Sequence, residues 1–312
     1  MSERPLPAVV TKWRRLWHWF RRQRPYRTFS HFTNVGGNVL SGGMSYQALF
    51  AVFAGLLVGF GVFGIFLREH ETLLDVIVDQ INTSIPGLLG DDGAVSVQEL
   101  LATRAIDWTS IVAAVSLLWI AVNWFTGTRR SIRIIFGLEV KEYRNAVYLK
   151  IRDFVLALCF ALAIVISAAL TVASSNIADT VLGWLGANPD NWFFGTLGTV
   201  VRYGALYVFD VLILMAIHWA LAEVRIGWWN LLIGCLLGAA ALFGLKFLGA
   251  ALLGGASSNP LLATFAIFVG LLLWFNFVCR VLLLTSAWIA TGLDKSLGLP
   301  EDPARRSASA FF

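Results

Sequence analysis

The amino-acid sequence predicts an all-α, polytopic membrane protein with six transmembrane helices and both termini in the cytoplasm. Hydrophobic side chains make up 58% of the 312 residues and charged side chains only 14%, a balance that a soluble domain does not tolerate. The apolar residues recur in long stretches, and the connecting segments alternate in charge. We therefore interpret the chain as one membrane domain rather than as two soluble ones.

Six stretches are long and apolar enough to cross the hydrocarbon core of a bilayer, which takes about 20 helical residues. The predicted spans are residues 42–66, 106–125, 154–175, 199–222, 229–253 and 261–290. The sixth is longer than a span requires, which predicts a strong tilt or a continuation into the cytoplasm. The expected domain plan is a basic, cytoplasmic or interfacial arm at 1–41, a six-helix membrane domain at 42–290 and a cytoplasmic tail at 291–312.

Charges in the connecting segments set the predicted orientation, because Lys and Arg are retained on the cytoplasmic side. Residues 67–105 hold two arginines against seven acids and are expected outside, whereas residues 127–153 hold seven basic residues against three acids and are expected inside. The net charge of +5 is concentrated at the membrane edges. Membrane lipids, and not nucleic acid, are therefore the expected anionic partner.

Two segments outside the spans have apolar residues at helical spacing. In the N-terminal arm these residues alternate with basic ones: Val9, Trp13, Leu16, Trp17 and Phe20. This pattern favours an amphipathic helix in the inner interface over a simple basic anchor. In the outer loop the apolar residues recur at Leu73, Leu74, Ile77, Val78, Ile81 and Ile85. We expect this second segment to form a short amphipathic helix that packs back over the outer mouth of the bundle.

Charged side chains inside the apolar spans are the main candidates for a functional site, because a charge at the bilayer centre costs at least about 2.5 kcal/mol. Asp210 lies in the fourth span, and Lys246 lies in the fifth at a depth from which a long side chain reaches Asp210. The two residues either pair only to hold the helices together or line a substrate or proton pathway, and the sequence leaves both open. Arg280 in the sixth span is expected to extend toward the cytoplasmic headgroups.

Further polar residues of the spans complete the candidate intramembrane site: Asn276, Asn123, Tyr46 and Gln47, with Asn38 just before the first span. These side chains should face protein or a wet cavity rather than lipid, and hydrogen bonding between helices is the favoured interpretation. The spacings Gly55-x-x-x-Gly59 and Gly234-x-x-x-Gly238 permit close approach of helices. They leave a homo-oligomer or an association with other membrane proteins open.

No catalytic, metal or cofactor site is predicted. The four histidines are scattered, the three cysteines lie in apolar runs without metal-ligand spacing, and no phosphate-binding glycine loop is present. The chain is therefore not expected to be an enzyme. Any transport would be secondary or driven by a partner.

Several segments resemble the YihY/BrkB family of bacterial inner-membrane proteins, some of which were formerly described as ribonuclease BN. Residues 45–54, SYQALFAVFA, are similar to the family's run Ala-Tyr-Tyr-x-Leu-x-Ser-Leu-Phe-Pro. Leu118-Trp119 with residues 130–136 resembles its second span and basic exit, and residues 223–239 resemble its entry into the fifth span. The chain departs from the family where Ala54 replaces a proline and where residues 285–289, TSAWI, lack an acid.

The resemblance implies a protein of the bacterial plasma (inner) membrane of the envelope-integrity type. Together with the buried charges and the aromatic-rich spans, it favours a transporter of lipid or of another amphipathic substrate. A structural or scaffolding membrane protein that transports nothing is the alternative. A ribonuclease is the least favoured function, because the sequence offers no cluster of acids or histidines for phosphodiester chemistry.

Overall fold

The computed structural model describes residues 19, 23–85, 88–90, 93–101, 108–138, 145, 147–162, 192–221, 226–253 and 260–293. Across these residues the regular structure is helical, apart from an isolated bridge between Leu89 and Val95. The described helices are α1 Arg24–Asn34, α2 Gly37–Glu69, α3 Glu71–Ser84, α4 Val97–Leu101, α5 Trp108–Ile135, α6 at residues 147–162, α7 Trp192–Leu221, α8 Trp228–Leu253 and α9 Pro260–Gly292.

Three of these helices are long and apolar enough to cross a membrane. The apolar stretches are Gly37–Gly61 in α2, Trp228–Lys246 in α8 and Ile267–Gly292 in α9. A shorter apolar stretch, Leu206–Leu221, lies in α7. The chain is thus an all-helical membrane protein in its described part, with three clear spans out of the predicted six.

Helices α8 and α9 begin and end within two residues of the predicted fifth and sixth spans, whereas α2 and α5 extend beyond the predicted first and second spans. α2 begins at Gly37 rather than at residue 42, directly after Gly36, whose φ of 80° makes the turn from α1. α5 runs on to Ile135 through basic residues that the prediction placed in a loop. Hydropathy predicts the apolar part of a helix, and a helix can continue past that part, as α2 and α5 do. Apart from residue 19, the arm helix predicted around residues 9–20 lies outside the described residues, as does the predicted third span after residue 162.

Helices α2 and α9 pack side by side in antiparallel directions. The rings of Phe53 and Phe268 lie 5.8 Å apart, and a Cβ on Gly42 would lie 3.9 Å from Asn276 Nδ2. These two contacts fix the register, so that the first turns of α2 lie at the level of the middle of α9.

Helices α8 and α9 approach each other closely at two glycines. A Cβ on Gly234 would lie 2.6 Å from Ile289 Cγ1, and a Cβ on Gly238 would overlap Thr285 Oγ1. The Gly234-x-x-x-Gly238 spacing therefore serves a contact within the chain. A Cβ on Gly55 or Gly59 would meet nothing within 4 Å, so the second glycine pair faces open surface.

Helix α1 lies across one end of the bundle, which we call the α1 end. The Arg24 guanidinium donates to the Trp288 carbonyl at 3.1 Å and lies 4.6 Å from the centroid of the Trp288 ring. The hydroxyls of Thr28 and Thr291 hydrogen-bond at 3.1 Å, and His31 Nε2 donates to the Ile135 carbonyl at 2.7 Å. These contacts join α1 to the C-terminal ends of α5 and α9.

The segment after α2 folds over the opposite end of the bundle. Apolar side chains of α2, α3, α4 and the turn between α3 and α4 form one buried cluster, which includes Phe60, Leu67, Ile77, Leu88 and Leu100. Asn82 holds that turn in place, because its amide donates to the Leu89 carbonyl at 2.8 Å and accepts from the Leu89 N–H at 2.9 Å. The predicted outer-loop helix is helical over Glu71–Ser84 and packs against the end of α2.

Candidate functional site

An ion pair joins α7 to α8 inside their apolar stretches. Lys246 Nζ donates to Oδ1 of Asp210 at 3.0 Å and to Oδ2 at 2.9 Å. The side chains are 16% exposed for Lys246 and 11% exposed for Asp210. The pair is therefore close, two-pronged and largely withdrawn from the molecular surface.

Neighbouring turns of α7 hold Asp210 in place. One turn before it, the Tyr207 hydroxyl donates to the Leu236 carbonyl of α8 at 2.8 Å. One turn after it, Leu214 lies against the surface that Gly238 leaves open on α8. Asp210 is thus fixed between two contacts of α7 with α8, and Lys246 reaches it from farther along α8.

A second polar cluster joins α5 to α6 and consists of Asn123, Thr126, Arg129, Lys150 and Asp153. Lys150 Nζ donates to Asn123 Oδ1 and, at 3.1 Å, to Thr126 Oγ1. Asp153 Oδ2 accepts from Thr126 Oγ1 at 2.7 Å and from Arg129 Nη2 at 3.1 Å. The side chains of Arg129 and Asp153 are 2% and 0% exposed, so this α5–α6 polar cluster is enclosed.

Burial lowers the pKa of the Lys150 ammonium from its ordinary value, the Asp153 carboxylate opposes this, and the Arg130 and Arg129 charges add to it. Four members of the cluster were not among the residues predicted for the site. Helical spacing would have pointed to them, since Asn123, Thr126 and Arg129 recur every third residue, as do Lys150 and Asp153. The sequence alone does not show that α5 and α6 place these two faces together.

The remaining predicted site residues lie along α2 and α9. Tyr46 is 61% exposed and stands edge-on to Phe50 at 4.9 Å. Gln47 is exposed and lies against α5, because a Cβ on Gly127 would overlap its Oε1. Asn276 lies beside Gly42, and Arg280 follows Asn276 by one turn. The structure therefore brings Asp210 and Lys246 together, and it places Asn123 in the α5–α6 polar cluster.

His218 is a fully buried polar contact between α7 and α9. Its Nδ1 donates to the Leu214 carbonyl at 2.7 Å, and its Nε2 lies 2.9 Å from Ser286 Oγ. Ser286 in turn donates to the Leu282 carbonyl at 3.0 Å. Both ring nitrogens thus have a polar neighbour within the bundle, and the single Ser286 hydroxyl proton is shared between Nε2 and the Leu282 carbonyl.

The described residues do not assemble a metal site: no three His, Cys, Asp or Glu side chains among them come together in a way that could hold an ion. The polar side chains in this part of the chain form ion pairs and hydrogen bonds between helices.

Comparison with known proteins places the chain in a family. A family described as "Virulence factor BrkB" matches residues 28–309. The chain belongs to the BrkB family. This confirms the resemblance that residues 45–54, 118–119, 130–136 and 223–239 indicate.

The BrkB-family chain is similar to two proteins of known sequence over most of its length. It is 26% identical over 293 residues to an uncharacterized protein of Dickeya dadantii (strain 3937), covering 89% of this chain and 88% of that protein. It is 25% identical over 276 residues to the inner membrane protein YhjD of Escherichia coli (strain K12), covering 85% of this chain and 79% of that protein. No solved structure matches the chain.

Proposed function

We propose that this BrkB-family protein crosses the bacterial inner membrane six times, with both termini in the cytoplasm, and transports an amphipathic substrate such as a lipid. The ion pair between Asp210 and Lys246 is the observation that carries the proposal. Both residues lie in apolar stretches, where each charge alone would be costly. A pair of apolar side chains would hold α7 to α8 at least as well. Retaining two charges at this depth supports a role beyond packing.

Exposed tryptophans support the proposed placement in the membrane. Trp219, Trp228 and Trp229 are 80%, 63% and 73% exposed and stand at the ends of α7 and α8 near α1. Tryptophan is enriched at the membrane–water interface, so these residues support an interface at the α1 end of the bundle. The α5–α6 connection at this end is basic, which supports a cytoplasmic location for it, and the name of the relative YhjD supports the inner membrane.

A scaffolding protein that moves nothing is the second candidate. The geometry that favours it is the two-pronged contact, in which Lys246 occupies both oxygens of Asp210. Such a closed pair is suited to locking α7 to α8. In either case we propose membrane lipids as partners, with other membrane proteins or a second copy of the chain as further ones, and neither catalysis nor nucleic-acid binding.

Reconstitution into vesicles tests the proposed function. Purified protein is placed in vesicles that carry a fluorescent phospholipid, and exchange of that lipid between the leaflets is followed with a membrane-impermeant quencher. We expect faster exchange than in protein-free vesicles, and a return to the protein-free rate for the double variant Asp210→Leu/Lys246→Met, which leaves neither charge unpaired. Arg27→Met, which removes an exposed cation of α1, is the matched control and should keep the wild-type rate. Exchange at the protein-free rate with folded wild-type protein would favour the scaffold instead.

A further inference from the structure

Arg280 is a membrane arginine without a counter-charge among the residues that the structure describes. Its side chain is partly buried in α9, and its Nε is enclosed without a hydrogen-bond partner. Of the three guanidinium nitrogens of Arg280, only Nε is both buried and without a hydrogen-bond partner. The Nη groups therefore remain available at the molecular surface, and the guanidinium as a whole lacks an acceptor in the described part of the chain.

The depth of Arg280 makes this arrangement costly. It lies near the middle of the apolar stretch Ile267–Gly292, twelve residues before Gly292, which corresponds to about 18 Å along the helix. That distance is longer than an arginine side chain. A guanidinium at this depth needs an anion or a polar partner, because a charge left alone in hydrocarbon is strongly unfavourable.

The protein's own acid at this level is already engaged. The four apolar stretches of α2, α7, α8 and α9 carry two cations, Lys246 and Arg280, and one acid, Asp210. Both oxygens of Asp210 are bound by Lys246. These stretches thus hold one positive charge in excess, and Arg280 is the cation that is not paired with Asp210.

The surroundings of Arg280 combine polar donors with exposed apolar surface. Asn276 lies one turn before Arg280 on the same side of α9, next to Gly42. Leu273 and Phe277 share that face of α9 and are 54% and 39% exposed. The antiparallel register of α2 and α9 places Asn38 at the level of Arg280. A charged head and an apolar tail would each find a matching surface here.

We propose that Arg280 and Asn276 bind the oxyanionic head, a phosphate or a carboxylate, of an amphiphile whose apolar tail lies on Leu273 and Phe277. A guanidinium binds both oxyanions with two parallel N–H···O bonds, and an amide adds a further donor. This inference deepens the proposed function, from which it takes the expectation that the ligand is an amphiphile. The bound anion would neutralise the excess positive charge of the membrane-spanning stretches.

Binding in detergent solution tests this site without requiring transport. Native mass spectrometry of the full-length protein measures apparent Kd values for four probes: dihexanoyl phosphatidate, decanoate, inorganic phosphate and dihexanoyl phosphatidylcholine as the head without net charge. We expect phosphatidate or decanoate to bind more tightly than phosphatidylcholine. Tight binding of inorganic phosphate as well would show that the site recognises the oxyanion itself, so that its ligand could be a water-soluble anion instead of a lipid. Failure of all three anions to bind folded protein would overturn the proposal.

Variants of the site identify the residues responsible. Arg280→Gln should weaken binding of the anion by about tenfold or more, and Arg280→Lys by less, because the charge remains while the fork is lost. Arg27→Gln, in exposed α1, is the charge control and should bind as the wild type does. Unchanged affinity in Arg280→Gln would contradict the proposal.

A steric pair keeps the test valid if the Arg280 variants fail to fold. Gly42→Leu places a side chain beside Asn276 and should reduce anion binding, whereas Gly43→Leu points into open space and should not. Equal binding by both would contradict the site. Lipid exchange in vesicles without binding at Arg280 would support the proposed function and overturn this inference. Binding through Arg280 without lipid exchange would support this inference and overturn the proposed transport.

Discussion

Lys246 Nζ contacts both carboxylate oxygens of Asp210, at 3.0 Å and 2.9 Å, across the interface of two apolar helices. One ammonium thus neutralises one carboxylate where neither charge is hydrated as it would be in water. Removing a single partner leaves a buried charge uncompensated, whereas removing both leaves none. Variants at these two positions can therefore separate a structural role from a functional one.

The enclosed pair of Arg129 and Asp153 should be a major contributor to stability. Asp153→Asn removes the carboxylate that Arg129 and Thr126 contact, and we expect a loss of about 3 kcal/mol or more, as for other buried pairs broken on one side. Thermal unfolding in detergent measures it. Asp75→Asn, on the exposed face of α3, is the matched control and should leave the melting temperature unchanged. Equal melting temperatures for the two variants would refute a stabilising role for the cluster.

Gly238 should tolerate no side chain. Gly238→Val drives a Cβ into Thr285 and against Leu214, so we expect a destabilisation of about 1–3 kcal/mol from overpacking. Gly244→Val, on the same helix, meets nothing within 4 Å and serves as the control. The measurement is the difference between their melting temperatures. A Gly238 variant as stable as the Gly244 variant would mean that α8 and α9 are not in close contact here.

The six-span topology predicts opposite locations for two reporter fusions. A fusion after Gly90 should be extracytoplasmic, because the acidic segment before it follows the first span, and one after Arg144 should be cytoplasmic, because basic residues surround it. Paired alkaline phosphatase and fluorescent-protein fusions report the side. The opposite location at either position would overturn the six-span plan.

The absence of a predicted catalytic site has a direct biochemical consequence. Purified protein should not cleave tRNA, because the sequence offers no paired acids or histidines to activate water. Cleavage is followed on end-labelled tRNA after repeated purification. Activity that persists through purification and disappears with one point substitution in this chain would show that the protein is a nuclease.

Membrane character could be predicted from the sequence, because hydropathy depends on position along single helices. A pairing of Asp210 with Lys246 could be proposed because the two charges lie at similar depths in consecutive apolar stretches. Hydropathy identifies the stretches in α2, α8 and α9. Depth along α7 and α8 brings Lys246 within reach of Asp210. The end of α5 could not be predicted in the same way, since this helix continues to Ile135 after its apolar stretch has ended.

The α5–α6 polar cluster could not be predicted, because it depends on which faces of two helices meet. Asn123 has Lys150 as its partner and Arg129 has Asp153, more than twenty residues away in each case. The count of basic and acidic residues at 127–153 uses Arg129, Lys150 and Asp153 only to predict which side of the membrane this connection lies on. The structure shows that Thr126 joins two of them, Lys150 and Asp153, and that Asp153 also binds Arg129.

The pathway role of Asp210 and Lys246 is the central claim, and the doubly apolar variant Asp210→Leu/Lys246→Met tests it most directly. Thermal unfolding should show that Asp210→Asn and Lys246→Met alone are strongly destabilised and that the double variant recovers wild-type stability. Lipid exchange is then measured for the double variant in the same vesicles. The account predicts a stable protein that no longer accelerates exchange above the protein-free rate, whereas a stable double variant with wild-type exchange would contradict it.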